Sequence, residues 1–263
     1  MRIGIVAPAC PIDADVRDRV TALVTNTFGA AAPELVFHPH CFSSHGHFAG
    51  PDEERAAAFV EFANDAAFDA IWFARGGYGS NRIALTVLPQ LNAAAHGKAY
   101  LGYSDMGFLM GGLYARRIGR VAHGPMVADI RRDGGDAAVL RSLRWLMDPL
   151  PNENGPVAVF NMTVLSHMIG TLLEPDLTDH VLMLEDVDEY HYRLDRMLFH
   201  FTSHAPFAAL KGIKLGRCGN IPDNDRPFGV DEETMVRDWC MRSEIPYLGR
   251  ADIGGQETAA DRP

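Results

Sequence analysis

Residues 98–117, KAYLGYSDMGFLMGGLYARR, contain the pattern that decides the fold. An apolar run is interrupted by a short turn, Gly102 to Asp105, and a second apolar segment follows with helical spacing. This pattern predicts a strand over residues 98–104 and a helix over residues 105–117. A buried strand that leads directly into a helix is typical of a parallel sheet covered by helices.

The same alternation of strand and helix extends outward from this stretch through about residue 148. Apolar runs bounded by Gly, Pro or polar clusters predict further strands in residues 2–8, 34–39, 69–75 and 119–125. Apolar residues three and four apart predict further helices in residues 13–29, 52–66, 82–91 and 135–148. Together these elements indicate an α/β fold, with a parallel sheet and helices on both faces.

The alternation ends at a candidate linker. Residues 148–156, DPLPNENGP, are rich in Pro, Asn and Gly, which is typical of a connection between domains. We therefore predict an N-terminal α/β domain in residues 1–150 and a second domain in residues 156–263. The second domain is more mixed, with strands expected in residues 180–186 and 210–220 and helices in residues 189–204 and 231–244.

Composition and charge argue against several classes of protein. The 263 residues include 24 Lys and Arg against 34 Asp and Glu, a formal net charge of -10, whereas a nucleic-acid partner usually requires a basic surface. No stretch approaches the roughly 20 apolar residues of a membrane helix. The four cysteines form no C-x-x-C pair, which fits a reducing cytoplasm. We expect a cytoplasmic protein without a nucleic-acid or membrane partner.

A glycine-rich turn follows the predicted strand in residues 69–75. Ligands of open α/β sheets bind beyond the carboxyl ends of the strands, so this position is a candidate for chemistry. Gly76, Gly77 and Gly79 allow the backbone to turn tightly and to approach a ligand, and their N–H groups are suited to hold a developing oxyanion. A tight connection from a strand to a helix would use the same glycines, so both interpretations remain open.

Ser104 lies where a strand is predicted to become a helix, and it also has two interpretations. A nucleophile in this place would benefit from the positive end of the helix and from the next backbone N–H. A Ser there is equally a common helix N-cap. Since G-Y-S-D differs from the G-x-S-x-G turn of the α/β-hydrolases, the spacing alone favours the N-cap.

Glu185 ends an apolar predicted strand, which is an unfavourable place for a carboxylate without a partner. It is either a functional acid or, like the neighbouring Asp186, Asp188 and Glu189, a residue that caps the following helix. His123 lies at the carboxyl end of another predicted strand and is a candidate neighbour of an active site.

A cluster of histidines raises the question of a metal. The stretch HPHCFSSHGH has four of them, followed by Asp52, and such residues can ligate zinc; they are His38, His40, His45 and His47. A polar loop before a helix explains the same pattern. We therefore predict no metal site, and we expect that chelators change neither activity nor stability.

Several motifs, taken together and in this order, resemble the LD-carboxypeptidase family, serine peptidases whose relatives include the microcin self-immunity proteins. The resemblance extends from the N-terminus to about Asp252. The motifs are IVAPAC, FAGPDEERAAAF, DAIWFARGGYGSNRI, LGYSD, AHGPM, VFNMTVLSHMIGT and LEDVDEYHYRLDRML. None of them is specific alone, but ARGGYGS, GYSD and the LED segment are specific jointly.

The resemblance implies a parallel N-terminal domain that carries the nucleophile, a smaller β-rich C-terminal domain that carries the acid, and an active site between them. It implies that the enzyme removes a terminal D-alanine from an L-centre in cytoplasmic cell-wall peptides, with no cofactor. We also expect a homodimer. The residues that match the family's motifs are Ser104 as nucleophile, Glu185 as acid, Gly77 and Asp105 as backbone oxyanion donors, and Tyr78 and Asn161 as substrate-binding residues.

The general base is the main departure from the family, whose His belongs to a Gly-His pair after a strand. Here Gly254 stands where His is expected, and no His follows His204. Either His123 or His204 takes the role, or the chain is slow, in which case Gly254→His should raise turnover.

Two alternatives to the carboxypeptidase remain. An immunity-type amidase would cleave a peptidyl-nucleotide, but Trp239 is the lone Trp of the second domain and such an enzyme should be richer in aromatic residues there. A protein without a base would bind a muropeptide without hydrolysing it.

Overall fold

The structure is a computed structural model that describes residues 1–149 and 155–254. The chain divides into two compact units. The first contains the described part of Met1–Leu150 with Gly170–Pro175, and the second contains the described parts of Pro151–Ile169 and Asp176–Pro263. Most of the predicted linker lies outside the described residues. Within the described ranges, every helix is too short or too polar to cross a bilayer.

The first unit is built on a five-stranded parallel sheet, as predicted. Its strands are β1 (Arg2–Val6), β2 (Glu34–Phe37), β3 (Ala70–Phe73), β4 (Ala99–Gly102) and β5 (Arg120–His123). Its helices are α1 (Ala14–Phe28), α2 (Asp52–Asn64), α3 (Ser80–Val87), the short α4 (Ala93–His96), α5 (Gly107–Ala115) and α6 (Gly135–Met147). The strand order is β2-β1-β3-β4-β5, and all neighbouring pairs are parallel.

Helices cover both faces of this sheet because its strands are apolar on both sides. On one face, Ile5, Trp72 and Leu101 are buried in one core with residues of α1 and α6 such as Val20 and Leu143. The residues that alternate with these on the strands point to the opposite face. There Phe73 packs on Phe59 of α2, with ring centroids 6.1 Å apart. The α/β class and the helices on both faces are confirmed.

One short segment from later in the chain belongs to the first unit. Gly170–Pro175 carries Leu173, which is buried and lies so close to Gly112 that a Cβ there would come 3.0 Å from it. Arg116 also donates to the carbonyl oxygen of Leu172 at 3.2 Å. The chain thus returns once to the first unit after the linker, which no local sequence pattern indicates.

The second unit contains a four-stranded sheet that is also entirely parallel. Its strands are β6 (Val157–Asn161), β7 (Val181–Val187), β8 (Gly212–Gly219) and β9 (Tyr247–Arg250), and its helices are α7 (Met162–Met168), α8 (His191–Ser203) and α9 (Glu232–Ser243). The unit expected to be β-rich therefore repeats the α/β plan of the first. Strand β9 was not predicted from periodicity, because it is an edge strand of only four residues, Tyr-Leu-Gly-Arg, too short to show an alternating pattern.

The strand order of the first unit indicates where a ligand should bind. In the order 2-1-3-4-5, the connections from β1 and β3 leave in opposite directions, and open α/β sheets bind ligands at this switch point, beyond the carboxyl ends of the strands. The segments that follow β1, β3 and β4 contain Cys10, the glycine turn and Ser104.

Candidate active site

Ser104 occupies a strained turn directly after β4. Its φ is +58°, a left-handed conformation that costs a residue other than Gly about 1–3 kcal/mol. It opens a 3-10 helix, Ser104–Met106, that leads into α5, and the N-cap of this helix is Tyr103. The N-cap interpretation of Ser104 is therefore wrong. A strained turn between strand and helix is also where the nucleophile of the α/β-hydrolases lies, and the role of Ser104 as a nucleophile stays a prediction.

The glycine turn after β3 lies against Ser104. A Cβ at Gly76 would come 3.1 Å from Ser104 Cβ and 3.2 Å from Ser104 Oγ, so a side chain at residue 76 would crowd the hydroxyl. Gly77 has a φ of +108°, and a Cβ there would come 2.4 Å from Cys10 Sγ. Gly77 therefore requires glycine, whereas a side chain at Gly76 would fit only if Ser104 or Met126 moved by a few tenths of an ångström.

The Asp105 carboxylate links the glycine turn to the segment that carries Ser104. It accepts hydrogen bonds from Ser80 N at 2.8 Å and from Gly79 N at 3.4 Å, and Ser80 Oγ donates to Asp105 O at 2.5 Å. Burial raises the pKa of Asp105, while these hydrogen bonds oppose that rise. The Asp105 N–H is in the first turn of its helix, where backbone N–H groups have no partner within the helix.

His123 lies on the strand next to the one that leads to Ser104. It pairs in register with Gly102, and its ring centroid is 5.7 Å from that of Tyr103. The Tyr103 hydroxyl in turn donates to Asp129 Oδ1 at 2.9 Å. His123 therefore stands at the carboxyl edge of the sheet, on the same side as Ser104, where the sequence predicted it.

The second unit holds Glu185 near the carboxyl end of β7. Glu185 and Asp186 are both buried, and the register with β8 shifts between Leu184 and Asp186. Here β8 advances three residues, from Leu215 to Cys218, while β7 advances two, so the extra residue is on β8. Such bulges are frequent next to active sites.

Asp186 and Asn161 together cap α7. Asn161 is the N-cap residue, and its side chain accepts from Val164 N at 3.0 Å and donates to Asp186 Oδ1 at 2.8 Å. Asp186 also accepts from Thr163 N at 3.0 Å. Burial raises the pKa of Asp186, against the effect of these bonds. A substrate-binding role for Asn161 stays a prediction, since the structure already gives its side chain a structural one.

His204 lies at the opposite end of the second unit from Glu185. It follows α8, whose 13 residues span roughly 20 Å and return the chain toward the amino ends of the strands. The turn that follows His204 is hydrogen-bonded to the segment just before β7, since Asp179 N donates to Ala209 O at 2.9 Å. This placement argues against a pairing of His204 with Glu185, and a role for His204 as the base stays a prediction.

A histidine at Gly254, where one is expected, would be strained and would crowd Arg217. Its φ is +89°, and a Cβ would come 3.0 Å from Arg217 O and 3.1 Å from Arg217 Cβ. The segment is fixed at this place, because Arg217 N donates to Ile253 O at 2.9 Å. We interpret the left-handed Gly254 as the glycine of the family's Gly-His pair, which would make the next residue the position of the histidine. That residue, Gly255, lies outside the described residues.

The four histidines of the loop after β2 separate into two groups. His38 Nδ1 lies 2.9 Å from His40 Nδ1, whereas His47 Nε2 lies 3.3 Å from Cys10 Sγ, beside the glycine turn. Among residues 1–149 and 155–254, no group of three or more His, Cys, Asp or Glu side chains could hold a metal ion.

Removal of divalent metals is expected to leave both activity and thermal stability unchanged, because no such group of ligands is present in the described part of the chain. The measurement compares the melting temperature and the hydrolysis rate before and after dialysis against EDTA. A clear fall in either, restored by added zinc, would show that the histidine loop binds metal.

Acid should destabilise the protein through His40. The ring is 6% exposed, its Nε2 lies 3.1 Å from Ala7 O, and burial, with His38 and Arg55 nearby, lowers its pKa from 6.5 to about 4. The unfolded chain gains this proton near pH 6.5 and the folded chain does not, so stability falls by about 3 kcal/mol as the pH drops through this window. Urea titrations at pH 7 and pH 4.5 should show a smaller fall for His40→Gln. Equal falls in the two proteins would refute the assignment.

These geometries indicate a class of protein. Strained backbone is frequent at functional sites, and a hydroxyl beside a glycine turn at the carboxyl edge of a parallel sheet is typical of serine-type hydrolases of the α/β class.

Comparison with known proteins gives the family. The LD-carboxypeptidase N-terminal domain matches residues 3–124 and the LD-carboxypeptidase C-terminal domain matches residues 154–260. The chain belongs to the LD-carboxypeptidase family, which confirms the resemblance seen in its motifs.

Individual relatives agree with this assignment. The chain is 28% identical over 269 residues to a probable murein peptide carboxypeptidase of Bacillus subtilis, covering 96% of this chain and 83% of the relative. Its fold is similar to that of a muramoyltetrapeptide carboxypeptidase from Oxalobacter formigenes, with a TM-score of 0.82, 24% identity and coverage of 97% and 89%. It is also similar to that of the microcin C7 self-immunity protein MccF, with a TM-score of 0.76, 20% identity and coverage of 95% and 87%.

Arg55 contacts the glycine turn, although the motif analysis did not single it out. It is fully buried and donates to Gly79 O at 3.0 Å. A signal for it was present in the sequence, since Arg55, Phe59 and Phe62 are spaced four and three apart and so share the apolar face of α2. An Arg on such a face must find partners inside the fold.

Proposed function

We propose that this chain hydrolyses the peptide bond between an L-centre and a terminal D-alanine in muropeptides. The observation that carries the proposal is the strained Ser104 held beside the glycine turn, in a chain of the LD-carboxypeptidase family. The name of the Bacillus subtilis relative, a probable murein peptide carboxypeptidase, supports the same class of substrate.

In the proposed reaction Ser104 Oγ attacks the scissile carbonyl carbon and loses its proton to a general base. The carbonyl oxygen becomes an oxyanion, which the N–H groups of Gly77 and Asp105 stabilise. Collapse of this intermediate releases D-alanine, and water then cleaves the acyl-enzyme. Glu185 is assigned by the family resemblance as the acid that orients the base, and Tyr78, 49% exposed on the glycine turn, as a residue that contacts the peptide.

The general base is the role in this reaction for which the sequence has no histidine at the family's position. We propose His123, whose strand pairs with the one that leads to Ser104, as the first candidate for this role. Without an effective base the hydroxyl is a weak nucleophile at neutral pH, and we expect turnover that depends mainly on the oxyanion donors and on substrate binding.

The direct test uses chromatography to measure the release of D-alanine from L-Ala-γ-D-Glu-meso-diaminopimelate-D-Ala. The matched substrate ends in L-alanine and should not be cleaved. A fluorophosphonate probe supplies a second readout, because it labels only an activated serine. Failure both to release D-alanine and to react with the probe would favour a protein that binds muropeptides without hydrolysing them.

The structure does not favour the immunity-type amidase. Such an enzyme should have aromatic residues in the second domain that bind the nucleotide. The lone Trp there, Trp239, instead donates its Nε1–H to Asp195 Oδ1 at 2.8 Å and packs edge-on against Phe199, with ring centroids 5.6 Å apart. These contacts give the indole a structural role. Cleavage of an aminoacyl-nucleotide faster than of the tetrapeptide would reverse this ranking.

We further propose a cytoplasmic homodimer that acts in cell-wall recycling. Four free thiols, at Cys10, Cys41, Cys218 and Cys240, are consistent with a reducing compartment. Cell fractionation tests the location, and light scattering of the purified protein tests the dimer.

A further inference from the structure

We propose that Arg55 and Asp105 are positioning residues, which hold Gly79 from its two sides and thereby keep the glycine turn against Ser104. The inference rests on the proposed function for its activity readout only. The turn is defined here as residues 76–80, and every contact used below lies within the first unit.

Arg55 acts on the turn from α2. Its Nη1 donates to Gly79 O at 3.0 Å and also to Pro8 O, and its Nε donates to Gly50 O at 3.2 Å. Its guanidinium lies 4.7 Å from the centre of the Phe48 ring. One buried cation therefore joins the segments that follow β1, β2 and β3, which all lie at the carboxyl edge of the sheet. A buried charge of this kind requires all its partners in place.

Asp105 acts on the same turn from the other side. Helix α3 begins at Ser80, and its N-cap Gly79 has no side chain that could cap it. The Asp105 carboxylate supplies the cap instead, since it accepts from Ser80 N and Gly79 N. A carboxylate at a helix N-terminus is favourable, and this one comes from the residue that follows Ser104 in the chain.

Gly79 is thus fixed by an anion at its N–H and a cation at its carbonyl. Its φ is +134°, and a Cβ would come 2.8 Å from the Phe48 ring and 3.1 Å from Arg55 Nη1. The backbone passes through this point in a conformation that only glycine adopts readily, and the two charged side chains hold it there.

The position of Gly79 matters for catalysis because only Tyr78 separates it from the Gly76–Gly77 peptide. A Cβ on Gly76 would be 3.2 Å from Ser104 Oγ, so a small shift of the turn changes the geometry at the hydroxyl. Oxyanion donors act at about 2.7–3.1 Å, and a displacement of about 1 Å can cost about 100-fold in rate.

The test uses Asp105→Asn and Arg55→Lys, with Asp69→Asn as the matched control. Asp69 is exposed and directly precedes β3, at the amino edge of the sheet and so opposite the glycine turn. It accepts from Arg2 N at 2.7 Å, and Asn keeps an accepting oxygen. For Asp105→Asn and Arg55→Lys we expect kcat to fall by about 10–100-fold, with KM changed by no more than about threefold. Amide hydrogen exchange of residues 76–80, followed by mass spectrometry, should accelerate in both variants and not in the control.

The two readouts separate this inference from the proposed function. If the unaltered chain releases no D-alanine, the proposed function fails, and the exchange of residues 76–80 alone decides the inference. Exchange that is unchanged in both folded variants overturns it, and so does faster exchange with an unchanged kcat. Should neither variant fold, Asp105→Glu keeps the charge but displaces the carboxylate that accepts from Ser80 N and Gly79 N, and the same two outcomes apply to it.

Discussion

Ser104→Ala is expected to abolish hydrolysis of the tetrapeptide, with a loss of about 10³-fold or more, because it removes the atom that attacks the carbonyl group. The fold should remain intact, since Ser104 is not used as a helix cap. The measurement is D-alanine release under single-turnover conditions, together with circular dichroism of the variant.

Ser104→Gly is the matched variant for this experiment. It also lacks the hydroxyl, but glycine adopts a φ near the observed +58° without strain. We expect an inactive protein that is at least as stable as Ser104→Ala. Full activity in both variants would end the interpretation of the chain as a serine peptidase, whereas activity in Ser104→Gly alone would point to strain rather than to the hydroxyl.

Gly255→His should raise turnover by about 10²–10⁴-fold, the usual contribution of a well-placed general base. The reason is the register of the Gly-His pair, in which the left-handed Gly254 corresponds to the glycine. The gain should follow the titration of a group near pH 6.5, with activity lost as the pH falls below this value. KM should change little, because the base acts on the proton of Ser104.

Gly254→His is the matched control, and here the structure reverses the expectation from the sequence. A side chain at this position would meet the Arg217 backbone in a left-handed conformation, so we expect destabilisation and no gain in turnover. Fast turnover by the unaltered chain, with no gain from Gly255→His, would mean that another residue is the base. His123→Ala would then be the next variant to measure.

Much of the fold could be predicted from local patterns. The strands of the first sheet and the helices that follow them are visible because apolar periodicity and Gly or Pro boundaries are properties of neighbouring residues. The edge strand β9 and the return of Gly170–Pro175 to the first unit were missed. The stability of both depends on partners distant in the chain, such as Arg116 for Leu172.

The candidate site divides in the same way. The sequence by itself determined that Ser104, the glycine turn, Glu185 and His123 follow or end strands, and that the motifs match the LD-carboxypeptidase family. Only the tertiary structure decided that Ser104 is strained rather than a cap and that a side chain at Gly254 would be strained and would crowd Arg217. It alone also showed that Arg55 reaches Pro8 and Gly79, 47 and 24 residues away. The physical reason is that backbone strain, steric space and buried charge depend on which distant segments pack together, whereas a local pattern shows only which element each residue belongs to.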